Sequence, residues 1–202
     1  MRLFIPLVFL FISLTSWSSV DLKVGDVLLQ PLDCWSCTLI EDEEQTIYSH
    51  IGIVVAVNPV MVAEARGKVK MLSLAEFDST TEKGQRISVL RFQNSKIVSE
   101  LNSRSSEFLS LFRNEFEGLD YDKAFLWDNF DEKGQQKLYC SEMVAKLLQA
   151  FLGIDPIVKR MHFSRNRTMW ERYFKGDVPV GKWGNAPADF ERSEWFFEVG
   201  EL

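Results

Sequence analysis

The sequence predicts an α+β domain, an antiparallel sheet with helices packed on it, and three observations predict it. Strand-like stretches come early and helical stretches late, the order of segregated rather than alternating elements. Tyr48 to Val57 and Val60 to Ala65 are apolar, β-branched runs separated by the turn dipeptide Asn58-Pro59. Ile97 to Phe116 and Cys140 to Phe151 instead carry apolar residues at helical spacing.

Taken in order, the chain opens with a signal-peptide pattern over residues 1–19. Arg2 is basic, Leu3 to Leu14 is almost wholly apolar, and Ser16 and Ser18 occupy small-residue cleavage positions. The apolar run is too short to span a bilayer as a good helix. The expected mature chain, residues 20–202, is therefore exported, periplasmic or secreted, with no stable membrane span. It reads as one domain.

Val24-Gly25-Asp26 makes a turn, and Val27 to Gln30 a short strand closed by Pro31. Residues 32–47 hold two cysteines and the acidic run Glu41-Asp42-Glu43-Glu44, the composition of a solvated loop. The hairpin follows; its first strand is nearly continuous in apolarity, as in a strand buried on both faces. Gly67 ends the second strand and Val69-Lys70-Met71 starts another. Leu72 to Phe77 reads as a short helix and Ile87 to Phe92 as a strand. Ile97 to Phe116 reads as one long helix, with Leu101, Phe108, Leu109, Phe112 and Phe116 along one side and Gly118 after it. From Cys140 a second helix runs to Gly153, with Cys140, Met143, Val144, Leu147, Leu148 and Phe151 on one stripe and Ser141 and Glu142 on the other face. Beyond Asp155 the tail is aromatic and irregular.

Composition bounds the function. The 202 residues carry a formal charge of −6, and no Lys/Arg run occurs. Nucleic acid and anionic lipid surfaces are poor partners for such a chain. Apolar content of 46% is too rich for disorder and enough for a real core.

The three cysteines divide into Cys34-Trp35-Ser36-Cys37 and Cys140. In an oxidising compartment Cys34 and Cys37 could pair as a disulfide; a C-x-x-C also serves as a redox motif or half a metal site. No second C-x-x-C exists and only His50 and His162 could assist a metal. No metal and no cofactor are expected. With Cys34 and Cys37 paired, Cys140 is left as a lone exported cysteine. It stands at a helix start, where orphan backbone N–H groups and the positive end of the helix dipole favour an anion. The competing reading is a small buried hydrophobe.

His50 begins the buried hairpin strand and Glu64 lies on its partner. A hairpin centred on Asn58 sets His50 opposite Arg66 and Glu64 diagonal to it on the same face, about 7–8 Å away between backbones. A loop centred between Asn58 and Pro59 sets the two on opposite faces. With the first register, and with the Cys140 helix packed on that face, the three residues form a Cys-His-acid system. Cys140 attacks an acyl carbon, His50 moves the proton, and Glu64 orients the imidazole. The backbone N–H of Cys140 would serve the oxyanion.

Four segments in this order resemble a known family: Gly25-Asp26-Val27-Leu28, Tyr48-Ser49-His50-Ile51-Gly52-Ile53-Val54, Ala63-Glu64-Ala65 and Tyr139-Cys140-Ser141-Glu142-Met143-Val144. They resemble the circularly permuted branch of the NlpC-like, papain-fold cysteine hydrolases, the YiiX-like group above all. The resemblance implies a permuted papain-like fold with the nucleophile at a helix N-terminus. It implies Cys140 as nucleophile, His50 as base and Glu64 as third polar residue, with Tyr121 lining the site. It also implies an amide or ester substrate, for exported members a cell-wall (peptidoglycan) peptide bond. A small peptide or acyl substrate is the expected partner. Two alternatives stand beside the peptidase: a lipid thioesterase or acyltransferase on the same fold, and a catalytically inactive binding module. A thiol–disulfide exchanger built on Cys34 and Cys37 is a fourth.

Overall fold

A computed structural model describes residues 20–202; the predicted signal peptide lies outside the described residues. In chain order the strands are β1 (Val27–Gln30), β2 (His50–Val57), β3 (Val60–Arg66), β4 (Lys68–Ser73), β5 (Ser88–Phe92), β6 (Asn129–Phe130), β7 (Gln136–Lys137), β8 (Lys159–Arg160), β9 (Trp183–Gly184) and β10 (Phe196–Glu201). The helices are α1 (Trp35–Glu44), α2 (Leu74–Asp78), α3 (Ser95–Ser103), α4 (Ser105–Leu111), α5 (Cys140–Leu152), α6 (Arg167–Tyr173) and α7 (Pro187–Glu191).

The six strands β10-β5-β1-β2-β3-β4, in that order, form one antiparallel sheet. Two small antiparallel ribbons, β6–β7 and β8–β9, stand apart from it. The sheet has a core on each face. On one, Leu29, Ile51, Ile53 and Ala63 pack against Phe108, Phe112 and the apolar stripe of α5. On the other, Leu28, Val54 and Val62 pack against Phe77 of α2. This two-sided burial is why β2 reads as a continuous apolar run.

The Gly25-Asp26 turn anchors the first strand. Gly25 has φ of +90°, and a side chain there would run into Leu101, so only glycine fits. Buried Asp26 accepts from Lys23 N at 2.7 Å and pairs with Arg91 of β5 at 2.7 Å.

Three expectations need correction. Residues 32–47 are mostly helix, not solvated loop. Cys34 caps α1, its Sγ accepting from Cys37 N at 3.1 Å, and is disulfide-bonded to Cys37. The acidic run is spent on the C-terminal segment: Glu43 accepts from Ser164 N and Arg165 N at 2.9 and 2.7 Å, and Glu44 pairs with Lys159 at 2.6 Å. Partners more than 100 residues away leave no local signal. Next, the long helix breaks at Arg104 into α3 and α4 and ends in a π-helical turn, Phe112–Phe116. The π turn keeps both phenylalanines in the core. The aromatic tail is ordered, giving α6, α7, the ribbon β8–β9 and the sheet-edge strand β10. Ser141 and Glu142, on the face of α5 away from its apolar stripe, are buried as well, because that same tail and the loop before α5 cover them.

Candidate active site

The hairpin settles the register in a way neither centring anticipated. Its loop is Asn58-Pro59, with Val57 opposite Val60 and Ala56 opposite Met61. Left uncorrected, this would set His50 and Glu64 on opposite faces. A β-bulge between Val54 and Ala56 inserts one residue, and from there inward Ile53 faces Ala63 and Gly52 faces Glu64. The bulge returns His50 and Glu64 to one face.

There the two side chains meet. His50 Nε2 lies 2.7 Å from Glu64 Oε2, and the residues are 3% and 1% exposed. Gly52, directly across from Glu64, makes the room: a Cβ there would lie 2.7 Å from Val62 Cγ1 and 2.9 Å from Phe77 Cε2. The Phe77 ring also packs on the imidazole, with centroids 5.8 Å apart. Lys70 Nζ stands 3.3 Å from the other Glu64 oxygen, Oε1, which accepts no hydrogen bond.

Cys140, 6% exposed, is the first residue of α5, and the N-cap Tyr139 gives the helix no side-chain cap. Its thiol interacts with the His50 ring. Glu64 occupies Nε2, which leaves Nδ1 for the thiol. Burial pulls the His50 pKa down. The hydrogen bond to Cys140, that to Glu64, and the charges of both outweigh burial and push it up to about 9. Burial likewise works against the Glu64 carboxylate, yet His50, Lys70 and Arg66 hold its pKa below the ordinary value.

A narrow cavity opens beside Cys140. Tyr121, Tyr139, Phe125, Phe163 and Trp170 line it, with α1 forming its rim through Ile40, Glu43 and Glu44. Burial, then the nearby charge of Cys140, hold the Tyr121 phenol well above the ordinary pKa, so its O–H stays a donor. Asp122 shapes the loop that carries Phe125, accepting from Ala124 N, Leu126 N and Asn129 Nδ2 at 2.7–2.8 Å. Asn185 ties the tail to the nucleophile helix. Its N–H donates to Tyr139 Oη at 2.9 Å, its carbonyl accepts from Ser141 Oγ at 3.2 Å, and its Nδ2 donates to Ser141 O at 3.2 Å.

The structure thus assembles Cys140, His50, Glu64 and Tyr121, and sets the Cys34–Cys37 bond apart, at the far end of α1. Sequence reasoning missed Gly52, Asp122, Trp170 and Asn185 as site-building residues. The glycine inside an apolar strand was a usable signal; the other three depend on contacts distant in sequence.

The sequence profile of the permuted papain-like amidase enzymes, the YaeF/YiiX or C92 family, matches residues 21–194. The chain belongs to this family. The YaeF/YiiX enzymes are permuted papain-like amidases, and the assignment makes the protein a hydrolase of the cysteine peptidase and amidase type. The fold agrees. A crystal structure described as the metalloprotein YiiX from Escherichia coli O157:H7 superposes with a TM-score of 0.71 at 21% identity, over 89% of this chain and 97% of that one. No curated protein matches the chain.

Proposed function

We propose that the protein is an exported cysteine hydrolase that cleaves an amide bond in small peptides of the cell-wall type through an acyl-enzyme. One observation carries the reading: a buried imidazole held between a carboxylate at 2.7 Å and the thiol of a helix-opening cysteine. Cys140 Sγ attacks the carbonyl carbon with its proton already held on His50, whose pKa of about 9 keeps the ring charged at neutral pH. The carbonyl electrons move to oxygen, which the Cys140 N–H at the uncapped start of α5 and the Tyr121 hydroxyl stabilise. As the tetrahedral species collapses, the C–N bond breaks and His50 protonates the leaving amine. Water, deprotonated by His50, then attacks the thioester, releases the acid and restores the thiol. Glu64 fixes the ring and offsets its charge throughout.

The Cys34–Cys37 bond supports export, since such bonds persist in oxidising compartments. Among the described residues no helix is long and apolar enough to cross a membrane. The metal in the description of YiiX finds no matching donor set here: among the described residues no group of three or more His, Cys, Asp or Glu side chains could hold an ion. No step above runs through a metal.

The apolar cavity favours a second reading, a thioesterase or acyltransferase acting on lipid. A panel of cell-wall peptides and acyl esters, assayed with wild type and Cys140→Ala, separates the two. Peptide cleavage lost at least about 10³-fold in a folded Cys140→Ala protein supports the proposal. Fatty-acid release without peptide cleavage transfers the site to lipid, and full activity in the variant refutes both.

A further inference from the structure

Two residues that line the cavity beside Cys140 each carry a buried polar atom without a partner among the described residues. Among the described residues, the indole Nε1–H of Trp170, 1% exposed, has no acceptor and the amide Oδ1 of Asn185, 2% exposed, has no donor. The Asn185 amide cannot be turned to hide this. Its Nδ2 donates to Ser141 O at 3.2 Å and Ile157 O at 2.9 Å, and two carbonyls accept only from nitrogen, so Oδ1 is fixed on the other side. Buried polar atoms are almost always paired, so an orphan donor and an orphan acceptor on residues of one cavity wall are the groups a ligand would satisfy.

The walls are strained in the same place. Phe125 and Phe163 hold φ of +51° and +50°, the left-handed region that aromatic residues avoid. Each costs about 1–2 kcal/mol. Strain of this kind persists where the surroundings impose it and clusters at ligand sites. Both rings line the cavity and pack on its aromatic neighbours, Phe125 edge-on to Tyr139 and Phe163 edge-on to Trp170.

The cavity is apolar inside and acidic at its rim. The two carboxylates on the rim are already engaged: Glu43 by the 164–165 backbone and the Ser164 hydroxyl, Glu44 by Lys159. A ligand carboxylate would meet the charge of Glu43, which only neutral N–H and O–H donors hold.

We propose that this cavity is the specificity pocket of the enzyme, and that it takes an uncharged, apolar substrate group bearing one amide, whose C=O accepts from Trp170 Nε1–H and whose N–H donates to Asn185 Oδ1. The inference rests on Cys140 being the nucleophile. It narrows the substrate to a peptide with a small aliphatic or aromatic residue beside the scissile bond, followed by an uncharged amide rather than a free carboxylate.

Three iodoacetyl reagents sharing an isobutyl body test it through the alkylation rate of Cys140: iodoacetyl-leucinamide, iodoacetyl-leucine with a free carboxylate, and iodoacetyl-3-methylbutylamine with no second polar group. The leucinamide reagent reacts about tenfold faster than either of the others, the worth of a desolvated hydrogen-bond pair. In Trp170→Phe that advantage, each rate taken relative to plain iodoacetamide on the same protein, falls to about twofold. Equal rates for the three reagents on wild type overturn the pocket without any variant. So does an advantage that survives Trp170→Phe. A faster hydrocarbon reagent assigns the cavity to acyl chains instead. Failure of the hydrolase reading shows separately, as an iodoacetamide rate that His50→Ala leaves unchanged.

Discussion

At the scale of single residues the chemistry turns on one ring. His50 is buried, yet its pKa rises to about 9, because Cys140 and Glu64 together offset the burial. The protein has two histidines, so the His50 signal is separable from that of His162 by NMR. Cys140→Ala removes the first cause of the rise, and the His50 titration moves down from about 9. Glu64→Gln keeps the shape but removes the charge; the same titration moves down and turnover falls by about 10²-fold or more. A titration unmoved by either variant would contradict the pairing. These three residues were legible in the sequence because each sits where an element signal is sharp: a lone cysteine opening an amphipathic helix, and a histidine and a carboxylate in β-branched runs flanking a turn. Trp170 and Asn185 were not. They lie in a tail with no periodicity, and their roles come from contacts with α1 and α5 that no local window contains.

At the scale of elements, the bulge in β2 and the glycine at 52 decide whether the site exists. A one-residue slip would turn Glu64 away from His50, so the bulge is as much part of the site as the side chains it aligns. Sequence reasoning put the two side chains on one face through the wrong loop, since a bulge leaves no mark in an apolar run, and it expected α5 on that face, whereas α5 packs on the other, against Ile51 and Ala63. Gly52→Ala places a methyl 2.7 Å from Val62 Cγ1 and 2.9 Å from Phe77 Cε2. It should cost about 1–3 kcal/mol in chemical denaturation, and activity should fall further than stability because Phe77 backs the imidazole. The helix α1 makes the opposite case. Cys34→Ser with Cys37→Ser leaves an oxygen to cap the helix while removing the bond. Closing so short a loop contributes about 2 kcal/mol or less. Thermal unfolding should come a few degrees earlier, with peptide cleavage retained. Loss of all activity in that variant would restore the thiol–disulfide reading. The acidic run of α1 misled the sequence reading for a physical reason. Charges read as solvated unless partners are visible, and here the partners arrive from residues 159–166.

At the scale of the whole molecule, the tail and the loop before α5 close over the nucleophile helix, and the titratable groups buried on α5 and on the sheet respond to pH. Glu142 is fully buried on α5; desolvation, only partly offset by Lys146, raises its pKa to about 7 from an ordinary 4.5. Between those values the folded protein holds a proton the unfolded chain has released, so stability falls as pH rises, by about 3 kcal/mol across the window. His50 acts next. Its folded pKa of about 9 exceeds the unfolded 6.5, so its contribution, also about 3 kcal/mol, is complete below 6.5 and lost as pH climbs through 9. Glu64 has the reverse sign. Its lowered pKa contributes stability above the ordinary 4.5 that disappears on acidification. The three together set the maximum near pH 5, below neutrality, with a long decline on the alkaline side. Urea midpoints at about pH 5, 7 and 9 measure it. Glu142→Gln, which keeps the acceptor for Asp128 N, flattens the first interval and leaves the second. His50→Gln flattens the second and leaves the first. Wild type more stable at pH 9 than at pH 5 would mean that the buried carboxyl and the paired imidazole do not govern the fold, and that the closure of the tail over α5 is looser than the hydrogen bonds of Asn185 and Glu142 describe.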